Sequence, residues 1–151
     1  MKDTTRKIWI VVADGGHARI LVNVTKGGGL APIVDGRFDE PHPPSREIAS
    51  DANPRVQQSS VRGSHAVEPK TDAHEKMEQQ FLLRLAGHLD QRLKAREFEG
   101  LILVAPATAM GFLRKNISPA LAKVVVADVV HDYTHQDDRV VYERIKDKLP
   151  L

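Results

Sequence analysis

The chain contains no cysteine, which excludes disulfides, thiolate nucleophiles and cysteine-ligated metals. It has no excess of one charge. Lys and Arg number 22 against 20 Asp and Glu, for a formal net charge of +2, so binding to nucleic acid by bulk charge is not expected and any basic patch must be local. No run approaches the roughly 20 apolar residues that a membrane span requires. The apolar run Ile8 to Ala13 is too short for a signal-peptide core and stops at Asp14, so the expected location is the cytoplasm, away from membranes. No serine sits in a nucleophile elbow, and neither a Walker A nor a dinucleotide fingerprint is present. No internal repeat is visible.

What the chain does contain is enough for one domain. Its 151 residues, 41% of them hydrophobic, suit a single core spanning 1–151. Lys7 to Ala13 (KIWIVVA) is β-branched and aromatic and reads as a strand buried on both faces. Asp14-Gly15-Gly16 is a turn, and Ala18 to Thr25 is a second strand pairing with the first as a hairpin. Gly27 to Gly29 make another turn before a weaker third strand, Leu30 to Phe38, interrupted at Asp35-Gly36. From Pro41 to Lys70 the pattern breaks down into a long irregular loop carrying five prolines, in which Arg46 to Ala52 has room for one or two helical turns.

Met77, Phe81, Leu85, Leu89 and Leu93 then recur every four residues, with Leu82 and Ala86 beside them. That stripe predicts a helix from about Asp72 to Glu97, capped by Asp72 with Glu75 three residues on, and weakened at Gly87. Leu101 to Ala105 reads as a central strand, Thr108 to Asn116 as a helix, Lys123 to Val130 as a last strand and Gln136 to Lys148 as a closing helix with Val140, Val141, Ile145 and Leu149 inward. The order predicts an α/β domain: a mixed sheet of about five strands covered by helices, in the manner of ribonuclease-H-like folds.

The chemistry-bearing residues are few. Arg62, His65, Lys70 and His74 cluster around the predicted start of the long helix. A helix N-terminus offers free N–H groups and arginine grips phosphate, so these residues are candidates for holding an RNA backbone or a nucleotide. The alternative is a solvated loop in which Asp72 and Glu75 satisfy the helix end. Ser59 to Lys70 is expected to be mobile in the free protein and to order on a phosphate-bearing partner. Arg114 and Lys115, with Lys123, Arg92, Lys94 and Arg96, are further local basic groups. Asp14 and Arg19 are expected to be structural, fixing the first hairpin. Metal sites are not expected: His74 and Glu75 are adjacent and diverge on a helix, and His131 and His135 flanking Asp132 have no fixed third ligand. Asp14, closing the first strand, and Asp128 and Asp132, on or after the last, could converge for two-metal phosphodiester cleavage, although Asp14 opens a DGG turn, where turn hydrogen bonds alone account for an aspartate.

Four segments, WIVVADGGHARIL, RGSHAVEPKTDAHEK, LILVAPATAMGFLRKNIS and VHDYTH, in this order, resemble bacterial host attachment proteins, described as required for attachment to host cells. That family is similar in turn to the middle domain of the class-1 translation release factors of archaea and eukaryotes. The resemblance implies a release-factor-like α/β domain and a ribosome or tRNA connection. The Gly-Gly-Gln tip of release factors is matched here only by Gly15-Gly16-His17, in a tight turn. The expected function is therefore a non-enzymatic cytoplasmic binding protein associated with the ribosome, tRNA or another phosphate-bearing ligand, needing no cofactor, with indirect effects on attachment. The alternative is an RNA-directed hydrolase, either a metal-dependent nuclease or a peptidyl-tRNA hydrolase.

Overall fold

The structure, a computed structural model, describes residues 6–23, 28–40 and 63–149, with the backbone alone over 63–72. Three strands come first: β1 (Ile8–Ala13), β2 (His17–Asn23) and β3 (Leu30–Asp39). A long helix, α1 (Gly63–Lys94), leads to β4 (Gly100–Ala105). Helices α2 (Ala107–Asn116) and α3 (Pro119–Lys123) precede β5 (Val125–Val130), and α4 (Asp138–Ile145) runs into a 3-10 turn, Lys146–Lys148. The strands form one sheet in the order β3-β2-β1-β4-β5, antiparallel from β1 to β3 and parallel from β1 to β5. This is the expected mixed five-stranded sheet covered by helices.

β1 and β4 are buried along their whole length, because helices lie on both faces of the sheet. On one face Trp9, Val11, Leu101 and Leu103 meet Phe81, Leu85 and Leu89 of α1, Leu113 of α2 and Leu121 of α3. On the other face Ile8, Ile10, Ile102 and Val104 meet Val141 and Ile145 of α4. Of the expected inward set on the last helix, Leu149 is partly buried and Val140 half-buried. The interruption foreseen in β3 is a shift of register against β2 between Arg19 and Leu21, with Asp35 in the left-handed region at φ 56°.

Several elements shift by one or two residues, and α1 differs most from expectation. α1 begins at Gly63, so residues 63–70 of the expected loop are helical, and Asp72 and Glu75 lie inside the helix and do not cap it. The hydrophobic period reports only the part of a helix that packs on a core, and among the described side chains of α1, those from Ala73 onward, full burial starts at Phe81. At its other end α1 stops at Lys94 instead of Glu97. Arg96 N–H bonds Leu93 O at 2.9 Å and Glu97 N–H bonds Arg92 O at 3.0 Å, a Schellman cap with Arg96 at φ 60° where glycine is usual. A short extra helix, α3, is also present, with the Ser118 hydroxyl accepting from Leu121 N–H at 3.0 Å. Ser59 to Arg62 and the possible turns over Arg46 to Ala52 lie outside the described residues. Among the described residues no helix is long and apolar enough to cross a membrane.

Candidate functional site at the carboxyl edge of the sheet

The carboxyl ends of the parallel strands β1, β4 and β5 gather parts of all four sequence segments around the turn Asp14-Gly15-Gly16. Asp14 organises that turn. Its Oδ1 accepts from Gly16 N–H at 2.9 Å and His17 N–H at 2.7 Å, with His17 Nδ1 at 3.3 Å. Its Oδ2 lies 3.1 Å from the Thr134 hydroxyl, which also lies 2.7 Å from Asp132 Oδ1. One hydroxyl proton serves only one of these two acceptors at a time. Burial alone would raise the Asp14 pKa, but the bonds from Gly16, His17 and Thr134 and the nearby His17 charge outweigh it and hold the carboxyl below its ordinary range.

Arg19, on β2, fastens the 131–138 loop to the sheet. Its guanidinium donates to Asp138 at 3.0 Å, to the Thr134 carbonyl at 2.9 Å and to the Gln136 carbonyl, and its side chain is 12% exposed. His17 meets His135 edge to face, with ring centroids 5.9 Å apart. Beside them a cleft of about 180 Å³ includes Arg37 and Asp39, and a larger one of about 780 Å³ runs from Arg19 past the kink at Asp35-Gly36.

A further cleft, of about 540 Å³, opens on the other side of the turn. Its floor is apolar: Leu82 of α1 and Ala109 of α2 are buried, with Phe112 and Pro106 beside them. Its walls are Gly15, the α1 residues His74, Glu75, Glu78 and Gln79, and Thr108 in the first turn of α2. His74 Nε2 pairs with Glu78 Oε2 at 3.3 Å. The Glu78 side chain lies so close over Gly15 that a Cβ there would sit 2.6 Å from its carboxyl carbon, which requires glycine or a displaced Glu78.

The other sequence candidates are dispersed. Arg114, in the last turn of α2, faces Asp128 of β5 at 3.4 Å, and Lys115 next to it is exposed; both belong to the end of α2 opposite the cleft. His65 and Lys70 lie in the first turns of α1, and Arg62 lies outside the described residues. The stretch expected to be mobile, Ser59 to Lys70, is helical from Gly63 onward. Arg92, one of the local basic groups, covers the Trp9 ring at 5.6 Å and bonds Glu97 at 2.6 Å. Glu78, Gln79, Thr108, Thr134 and Asp138 were not singled out from the sequence. For Glu78 a signal existed: it stands four residues after His74, the helical spacing that Glu75 lacks.

The three carboxylates that a nuclease would use do not stand free together. Asp14 serves the turn and Asp128 pairs with Arg114. Among the described residues no group of three His, Asp or Glu side chains is arranged to hold a metal ion.

In fold, the chain is similar to the archaeal translation termination factor aRF1, with a TM-score of 0.50 and 14% identity over 93% of this chain. It spans only 38% of that factor's length. No curated protein matches it in sequence. Residues 9–145 match the family described as protein required for attachment to host cells, and the chain belongs to that family.

Proposed function

We propose that this chain is a non-enzymatic, cytoplasmic binding protein that engages RNA of the ribosome or tRNA, and that effects on host attachment follow indirectly. The observation that carries the reading is the layout of α1. Glu78 lies over Gly15, just past the carboxyl end of β1, and the helix continues N-terminally from there to Gly63, about 22 Å at 1.5 Å per residue. From Ala73 to Gln80 no side chain is fully buried; Ala73, His74, Met77 and Glu78 are half-buried and the rest exposed, so this part of the helix adds little to the core. It is an arm that begins at the candidate site, and its sequence carries His65, Lys70, His74 and Lys76. The fold shared with a termination factor agrees with work at the ribosome. The commitment of Asp14 and Asp128 to internal partners weighs against the metal-dependent hydrolase.

Gradient fractionation of a bacterial lysate tests the reading. The protein should travel with a ribosomal subunit or with tRNA, and the association should weaken as salt rises, because phosphate contacts release counterions. Migration only at the top of the gradient at low salt, with no tRNA recovered alongside it, would contradict the reading. Cleavage of RNA dependent on magnesium and on Asp14 would favour the hydrolase instead.

A further inference from the structure

The cleft between α1 and α2 occupies a particular place in the topology. β1 and β4 are adjacent and parallel, yet the chain leaving β1 turns to β2 on one side while the chain leaving β4 crosses to β5 on the other. The carboxyl ends of two such strands form a topological switch point, where open α/β sheets keep their ligand crevices. Gly15 and Pro106, the residues just past those two strands, both line this cleft. Its volume of about 540 Å³ falls within the range of small-molecule pockets, about 300–1,000 Å³.

The lining restricts the ligand. Phe112, Pro106 and Leu82 suit a flat apolar body. Two carboxylates, Glu75 and Glu78, stand in the wall against the one His74 that pairs with Glu78 Oε2, so a phosphate placed inside is disfavoured and a ligand on Glu78 shares or displaces the His74 contact. A carboxylate only accepts hydrogen bonds and binds best to two adjacent donors. Among the RNA bases, guanine alone presents two adjacent donors, N1–H and the N2 amino group, on its Watson–Crick edge. Adenine and cytosine put a ring-nitrogen acceptor beside their amino group, and uracil flanks its single N–H with carbonyls. The Thr108 hydroxyl can donate to guanine O6 or N7.

We propose that this cleft takes an unstacked guanine base of single-stranded RNA, with its Watson–Crick edge on Glu78, its ring over the apolar floor and its phosphates outside along α1. Single-stranded RNA is commonly read in this way, through splayed bases held on their edges and faces. Lys70 lies two turns N-terminal to Glu78 in the same helix. The inference rests on the binding reading above and names its ligand chemistry.

The test is an NMR titration of the full chain, following the Gly15 and Thr108 amides. Probes are the four ribonucleosides, an oligouridine and the same oligouridine with one guanosine. Guanosine should shift both amides more than the other nucleosides do, and the guanosine-bearing oligomer should bind more tightly than free guanosine. Glu78→Gln should weaken guanosine binding about tenfold, the size expected from losing one bidentate contact. Thr108→Trp, at an exposed position, should fill the cleft and abolish binding with the melting temperature unchanged. Equal response to all four nucleosides, no response, or guanosine binding indifferent to Glu78→Gln would overturn the proposal. Binding of guanosine without binding of the guanosine-bearing oligomer would overturn RNA as the source. Guanosine binding without ribosome or tRNA association would sink the ribosomal reading and keep this site, and the reverse would sink this site alone.

Discussion

Between Phe81 and Leu93, α1 lays Phe81, Leu82, Leu85, Ala86 and Leu89 against the sheet. Between Gly63 and Gln80 the same helix offers Ala66, Val67, Ala73 and Met77 as its only apolar residues past its first glycine, and it includes Pro69. The C-terminal half is also fixed at its end by the Schellman cap and by Arg92 on Trp9. Among the described side chains of the N-terminal half, Ala73 to Gln80, none is fully buried, whereas packing supplies most helical stability in proteins, and Pro69 brings no backbone donor. The C-terminal half is thus a wall of the core, and the described side chains before Phe81 stay at its edge or in solvent. That surface is the ground for proposing the binding role in this half.

The sharpest way to break this comparison is to cut each half equally. Leu89→Ala, at a fully buried site, should cost about 2–5 kcal/mol in chemical denaturation. Gln79→Ala, at an exposed site, should stay within about 0.5 kcal/mol. Similar losses from both would show that the N-terminal half is part of the core.

A smaller effect should come from acid. His88, in the packed half, sets its ring edge-on to Phe38 of β3, with centroids 4.7 Å apart, and its Nε2 is buried without a hydrogen-bond partner. Burial, joined by the Arg92 charge, holds the imidazole below the ordinary histidine range, and Glu97 and Asp35 only partly oppose this. The folded protein thus keeps His88 neutral while the unfolded chain, with the ordinary value of 6.5, takes up the proton first. This contribution is complete above pH 6.5 and is lost as pH falls below it toward the folded pKa. Melting temperatures measured on both sides of that value should diverge for the wild type and diverge less for His88→Leu. An unchanged slope in the variant would remove His88 from the account.

The smallest effect should be a gain. A Cβ at Gly87 meets nothing within 4 Å, so Gly87→Ala should stabilise the protein by up to about 1 kcal/mol. Because Gly87 lies in the half that defines the core, the gain should appear in the global unfolding curve. Its absence there would mean that α1 frays further toward its C-terminus than the packing indicates.

The core was legible in the sequence because burial leaves a period: of the stripe from Met77 to Leu93, Phe81, Leu85 and Leu89 are buried, Leu93 packs partly buried against them and Met77 is half-buried, and the apolar runs of β1 and β4 packed as they read. The start of α1 was not legible, because a helix segment without a core face has no period to display, and Pro69 reads as a breaker. The cleft was partly legible. His74 drew attention, but its partner Glu78 and the facing Thr108 depend on how α1 and α2 come together over the turn at Gly15, which no local pattern encodes. Arg19 was expected to fix the first hairpin, and the carboxylate it meets is Asp138, 119 residues further along the chain, a distance at which sequence spacing carries no information.

Residue-resolved hydrogen exchange along α1, with and without purified ribosomes, tests the division of the helix most directly. In the free protein the amides of Leu85 to Leu93 should exchange far more slowly than those before Gln80, because only the packed half opens through global unfolding. Adding ribosomes should slow exchange in the N-terminal half and leave the packed half as it was. Uniform protection along α1 in the free protein, or an N-terminal half that ribosomes leave unchanged, would contradict the account.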